Sequence, residues 1–264
     1  MLSTLRRLAR LPLALLVALP IVACGASTSS DPDPVVAEVQ HTPIKRSALN
    51  HWMATIVGGD YEESLNSQAP AGLVSDPPNY RSCVSAIESI GPAKAGSSPQ
   101  AINSELESKC HQLYPALEQQ ALTFLIAQVW LAQQGAEHKL AVTDTEVNHR
   151  LEQLKAEQFP NDAAFAAYLT KRRWSLSDEL TLVRKDLMTE KLEGLVEHSL
   201  AKTGATPKAI QRAIVNLYYD NVKKYTKLTS CRPGYISPDC SQYKAPAHES
   251  TSPDVLLEQI AGSR

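Results

Sequence analysis

The sequence predicts a mainly α protein, a multi-helix chain with a short N-terminal β strand or hairpin. Three observations lead there. The 264 residues hold eleven Gly and three Phe, while Ala, Leu, Gln and Glu, all good helix formers, are abundant. Apolar residues recur at helical spacing in segment after segment beyond residue 46. Strict apolar–polar alternation is confined to the stretch around Val36, Ala37 and Val39, ahead of a turn at His41-Thr42-Pro43.

The elements follow in order. Ser47 can cap a helix whose Leu49, Trp52, Met53 and Ile56 share one face. Residues 58–81, rich in Gly, Pro, Ser and Asp, read as a long loop, and a short helix then carries Cys83. The longest helical pattern spans about residues 100–134, with a kink expected at Pro115 and an end at Gly135. Its second half, ALEQQALTFLIAQVWLAQQ, is apolar on most sides and is expected to run through the centre of the fold. Thr143 and Glu146 form a capping box for a charged helix reaching Gln158. Asn161 caps a shorter helix bearing Phe165, Tyr168 and Leu169, and SLSDEL opens a long one to about Lys202. Thr206-Pro207 starts a helix containing Ile210, Ile214, Leu217, Tyr218 and Tyr225. A turn holding Cys231 and Cys240, a Pro-rich stretch and a short amphipathic piece, PDVLLEQIAG, come last. No repeat period emerges.

The first residues predict the compartment. Arg6, Arg7 and Arg10 precede an apolar run over residues 11–23, shorter than the roughly 20 residues a spanning helix needs. Ile21-Val22-Ala23-Cys24-Gly25 resembles the lipobox of bacterial lipoproteins, which implies a signal peptide over 1–23 and a mature chain beginning at a lipidated Cys24. Residues 24–34 then form a polar tether. In an oxidising compartment the four remaining cysteines read as disulfides. Sequence separation favours Cys83 with Cys110 and Cys231 with Cys240. Neither pair has the close spacing of a zinc knuckle or of a C-x-x-C redox motif, so no metal is expected.

Chemistry is sparse along the chain. The seven histidines include no H-x-H or H-x-x-x-H pair and read as surface residues. No nucleophile elbow, phosphate-cradling glycine loop or paired-carboxylate constellation is present, so no catalytic residue and no cofactor are assigned. Asp178 and Glu179 read as helix-start or solvated charges, and the three tryptophans as core. A formal net charge of −2 without a basic, aromatic-interleaved patch argues against nucleic acid as a partner.

Four motifs in order carry a resemblance. VAEVQHTPIKRSALN (36–50) is similar to the opening of the chaperone lobe in bacterial extracytoplasmic foldases of the SurA and PrsA type, with His41 standing where that family usually has glycine. VTDTEVNHRLEQLKAEQF (142–159), FAAYLTKRRWSLSDELTLVRKDLMTEKL (165–192) and AIVNLYYDNVKKYTK (213–227) resemble its later helices. The resemblance covers residues 35–228, leaves 229–264 as a stapled tail, and places that tail where two-domain relatives carry a parvulin-type prolyl-isomerase module. It implies a lipid-anchored chaperone that binds unfolded exported polypeptides without ATP, with Phe165, Tyr168 and Trp174 as candidate client contacts. The alternatives are a peptidyl-prolyl isomerase and a non-catalytic envelope assembly adaptor. Losing Cys231–Cys240 is expected to fray the tail and leave client binding nearly intact.

Overall fold

A computed structural model describes residues 33–75, 77–90 and 99–244. Cys24, the leader around it and the PDVLLEQIAG piece lie outside the described residues. Strand β1 (Val35–Val39) turns through Gln40, at φ 54°, into β2 (Thr42–Lys45), and the two pair antiparallel with Val39 opposite Thr42. A third strand, β3 (Thr229–Cys231), pairs antiparallel on the other side of β1, giving the order β2-β1-β3. The hairpin expectation is met, and the sheet gains a strand from the far end of the described chain.

Seven helices account for most of the described residues: α1 (Arg46–Leu65), α2 (Arg81–Ile90), α3 (Pro99–Glu137), α4 (Asp144–Gln158), α5 (Asp162–Arg172), α6 (Leu176–Ala201) and α7 (Pro207–Thr226). The mainly α class is therefore as the sequence predicts. Three local expectations differ. Ser47 does not cap α1, whose N-cap is Lys45, two residues earlier; the Ser47 amide and hydroxyl instead donate to the Asp33 carboxylate at 2.8 and 2.6 Å. Helix α1 also continues through Gly58-Gly59 where a loop was expected. A Cβ at Gly58 would collide with the Arg172 carbonyl, and one at Gly59 would stand 2.8 Å from the Trp174 ring. The glycines are there for close approach of α5, not for a turn. Gly135 likewise lies inside α3, and the Met188 side chain of α6 fills the space its missing Cβ leaves.

The main core lies between the sheet, α1, α2 and α3. Leu49, Met53, Ile87, Leu113, Leu117, Leu122 and Ile126 are fully buried there. Cys83–Cys110 ties α2 to α3, and Cys231–Cys240 closes the turn after β3, in the pairing the sequence separations favour. Residues 229–244 belong to this core: Cys231 stands opposite Ala37, and Trp130 donates to the buried Thr229 hydroxyl at 2.9 Å. A second, smaller core joins α4, α5 and α6 through Val147, Leu151, Phe165 and Val183. Helix α6 packs on α4, α3 and α7 in turn. Among the described residues no helix is long and apolar enough to cross a membrane.

Candidate functional site

The three aromatics expected to face a client sit in packed positions. Phe165 is buried in the second core, with its ring 5.3 Å from that of Phe159. Tyr168 lies between Phe159, at 5.1 Å, and Trp174, at 6.1 Å, and burial pushes its hydroxyl pKa up. The Arg172 guanidinium covers both the Tyr168 and Trp174 rings at 4.8 and 5.0 Å. The Trp174 indole donates to the Thr55 carbonyl at 2.6 Å, fastening the α5–α6 corner to α1. These side chains build the joint between helices.

One polar grouping joins α1 to α6. Asp178, read from the sequence as a helix-start or solvated charge, does occupy the capping box of α6 but is buried. Its Oδ2 accepts from the Ser175 amide and hydroxyl at 2.8 and 2.7 Å, and its Oδ1 lies 2.6 Å from His51 Nε2. Burial alone would raise the carboxyl, but the Ser175 groups and the imidazole outweigh it and hold it below its usual range. Ser, Asp and His are thus adjacent, yet the hydroxyl donates to the carboxylate and not to the imidazole. A nucleophile needs the opposite order, with the base on the hydroxyl. The arrangement is a cap with a cross-link.

The unpartnered chemistry lies elsewhere, along α7. This helix has two apolar stripes. Ile210, Ile214, Leu217 and Tyr225 face inward, with Ile214 and Tyr225 fully within the fold. Val215, Tyr218, Tyr219 and Val222, at i, i+3, i+4 and i+7, form a second stripe that is left exposed among the described residues; Tyr219 is 72% exposed. Leu195, on the C-terminal half of α6, is exposed as well. The C-terminal half of α7 is held on α3 by the Lys224–Glu137 ion pair at 2.6 Å and by Trp130 stacked on Tyr225 at 6.0 Å.

Where this stripe meets α3 the surface folds into a cleft of about 290 Å³. Phe124, Ala127, Trp130 and Leu131 of α3 form one wall, Tyr218 and Val222 of α7 the other, and Lys185 and Thr189 of α6 an edge. Its volume is at the lower edge of the roughly 300–1,000 Å³ range of ligand sites, room for apolar side chains and not for a large cofactor. The Tyr218 hydroxyl donates to Glu193, and burial together with that carboxylate pushes its pKa well up, so the phenol stays neutral. The Lys185 ammonium is drawn to Asp186 at 2.9 Å.

The turn closed by Cys231–Cys240 brings Asp239 to the same cleft. Burial pushes the Asp239 carboxyl up, partly offset by a hydrogen bond with Thr123. Asn221 and Asp239 were not singled out from the sequence. Of the stripe 215/218/219/222, the sequence reading named only Tyr218, as one residue of this helix with no face assigned to it. The turn that the second disulfide closes therefore contributes a residue to the cleft.

No protein-family model, curated protein or solved structure matches this chain. Among the described residues no group of three or more His, Cys, Asp or Glu side chains is placed to hold a metal ion.

Proposed function

We propose that this chain is a lipid-anchored, extracytoplasmic holdase that keeps unfolded exported polypeptides from aggregating, and that the α3–α7 cleft with the outer stripe of α7 is where clients bind. The observation that carries the reading is the run of Val215, Tyr218, Tyr219 and Val222, exposed among the described residues and continuing into an apolar cleft. Contiguous exposed apolar surface with polar surroundings marks an interaction site. Burying a client's exposed apolar side chains there suppresses association at modest affinity, and release needs no ATP because each contact is weak. The motif resemblance to SurA- and PrsA-type chaperones supports the same reading, and so does the lipobox-like stretch ending in Cys24.

The test uses the full chain with a chemically denatured client diluted into buffer and followed by light scattering. Wild type is expected to suppress aggregation, and Tyr219→Ser combined with Val222→Ser to lose most of that effect. Both positions are exposed, so the fold should survive the change. Equal suppression by wild type and variant would remove α7 from the function. Acceleration of proline isomerisation in a peptide assay would favour the isomerase alternative instead. The anchor is tested separately: Cys24→Ala should leave the membrane fraction, since stable anchoring needs the acyl chains.

A further inference from the structure

Two atoms among the cleft's polar side chains stand out. Asn221 Nδ2, on α7, and Asp239 Oδ2, on the stapled turn, are both buried and have no hydrogen-bond partner among the described residues. Buried polar groups are almost always paired, and one donor and one acceptor left unpaired at the same cleft call for an explanation. Neither serves the helix ends: α7 is capped by Thr206 at its start, and its last turn closes through the Lys227 amide on the Tyr225 carbonyl. Lys185, the one Lys or Arg among the lining residues, is paired with Asp186 at 2.9 Å.

Resting on the client-binding reading above, we propose that Asn221 and Asp239 are a main-chain clamp: Asn221 Nδ2 donates to a carbonyl oxygen of a bound extended segment, and Asp239 Oδ2 accepts from one of its peptide N–H groups. An apolar side chain entering between Trp130, Leu131 and Val222 drags its own peptide groups out of water. Those groups lose hydrogen bonds unless the cleft replaces them, and the unpaired donor and acceptor are of the two kinds required. Both atoms are buried, so pairing follows a rotation of the two side chains toward the segment. Recognition through the main chain is indifferent to client sequence, whereas the apolar walls select only for side chains that need shelter. The second disulfide gains a role: it holds the acceptor in place, with the Cys240 sulfur itself accepting from the Ser237 amide at 3.1 Å.

The experiment is fluorescence anisotropy of the full chain with a short dye-labelled peptide of alternating leucine and serine, and a set in which each peptide amide in turn is replaced by an ester. An ester removes the N–H without changing the side chains. With wild type, one ester position is expected to weaken binding roughly tenfold, the scale of one hydrogen bond to a charged group. Asp239→Ala should weaken the all-amide peptide by a similar factor, and that same ester should then cost nothing further. Ester peptides that all bind wild type as tightly as the amide overturn the clamp while leaving client binding intact. An Asp239→Ala variant that keeps the full ester penalty also overturns it. Failure of even the all-amide peptide to bind either wild type or the chain shortened by residues 245–264 rejects the client-binding reading, and the clamp with it. Binding that appears only after residues 245–264 are removed overturns the client clamp by assigning the pair to the chain's own tail.

Discussion

The sheet-based region and the α4–α5–α6 region hold their shapes by different means. In the first, side chains such as Leu49, Met53, Leu117 and Ile126 are fully buried, and two disulfides tie α2 to α3 and close the turn after β3. In the second, the buried set is Val147, Leu151, Phe165 and Val183. Much of its order rests on polar ends: capping boxes at Thr143/Glu146 and Ser175/Asp178, the Asn161 cap, and ion pairs Lys191–Glu146 and Arg184–Asp144 at its surface. Burial and covalent ties make a wall that keeps its form, while caps and exposed ion pairs are individually weak and screened by salt. The cleft is assembled from the firm α3 wall, the staple, and α6 and α7.

The contrast can be broken at several points. The largest effect should come from the main core: Leu117→Ala is expected to cost about 4 kcal/mol, against about 2 kcal/mol for Leu151→Ala, both read from urea unfolding. Replacing Cys83 and Cys110 by Ala should cost about 3–4 kcal/mol, and replacing Cys231 and Cys240 about 2–3 kcal/mol, on the chain-entropy account. The functional order should be the reverse. Loss of the second disulfide frees the turn bearing Asp239 and should weaken client binding more than loss of the first. Thr143→Ala removes one cap and should cost about 1 kcal/mol, visible as faster amide exchange in α4 with α1 unchanged.

The smallest and most diagnostic effect is with pH. Lys191, then the Thr143 groups, hold the Glu146 carboxyl down at about 2, below its ordinary 4.5. A depressed carboxyl contributes stability that is fully present above the unfolded value and is lost as pH falls through 4.5 toward 2. Asp239 has the opposite sign: its raised carboxyl binds a proton more tightly in the folded chain, so its contribution improves as pH falls toward the ordinary 3.8. Acid should therefore loosen the α4–α6 tie before it loosens the turn after β3. Amide exchange between pH 5 and pH 3 measures this, and earlier loss of protection in residues 229–244 would contradict it.

How legible each part was in the sequence follows from the range of the forces involved. Helices α4, α5 and α7 announce themselves through Thr143, Asn161 and Thr206, since a cap acts within three residues. The disulfide partners were legible from sequence separation in the same way. Helix α1 past Val57 was not, because Gly58 and Gly59 signal a turn until the Arg172 carbonyl and the Trp174 ring are known to press on them. Strand β3 is three residues long, and its pairing with β1 spans nearly the whole described chain. At the site, the 215/218/219/222 period was readable, but which of the two α7 stripes turns outward depends on α3 and α6. Asn221 and Asp239 left no sequence signal, because an unmade hydrogen bond is a property of the folded neighbourhood.

The most direct test places a photo-crosslinking residue at Val222 in the cleft and, separately, at Tyr168 in the α5 joint, in the full-length anchored chain in cells. The account predicts many different exported polypeptides captured from position 222 and few from position 168. Equal capture from both positions, capture mainly from 168, or one dominant partner at 222 would contradict it.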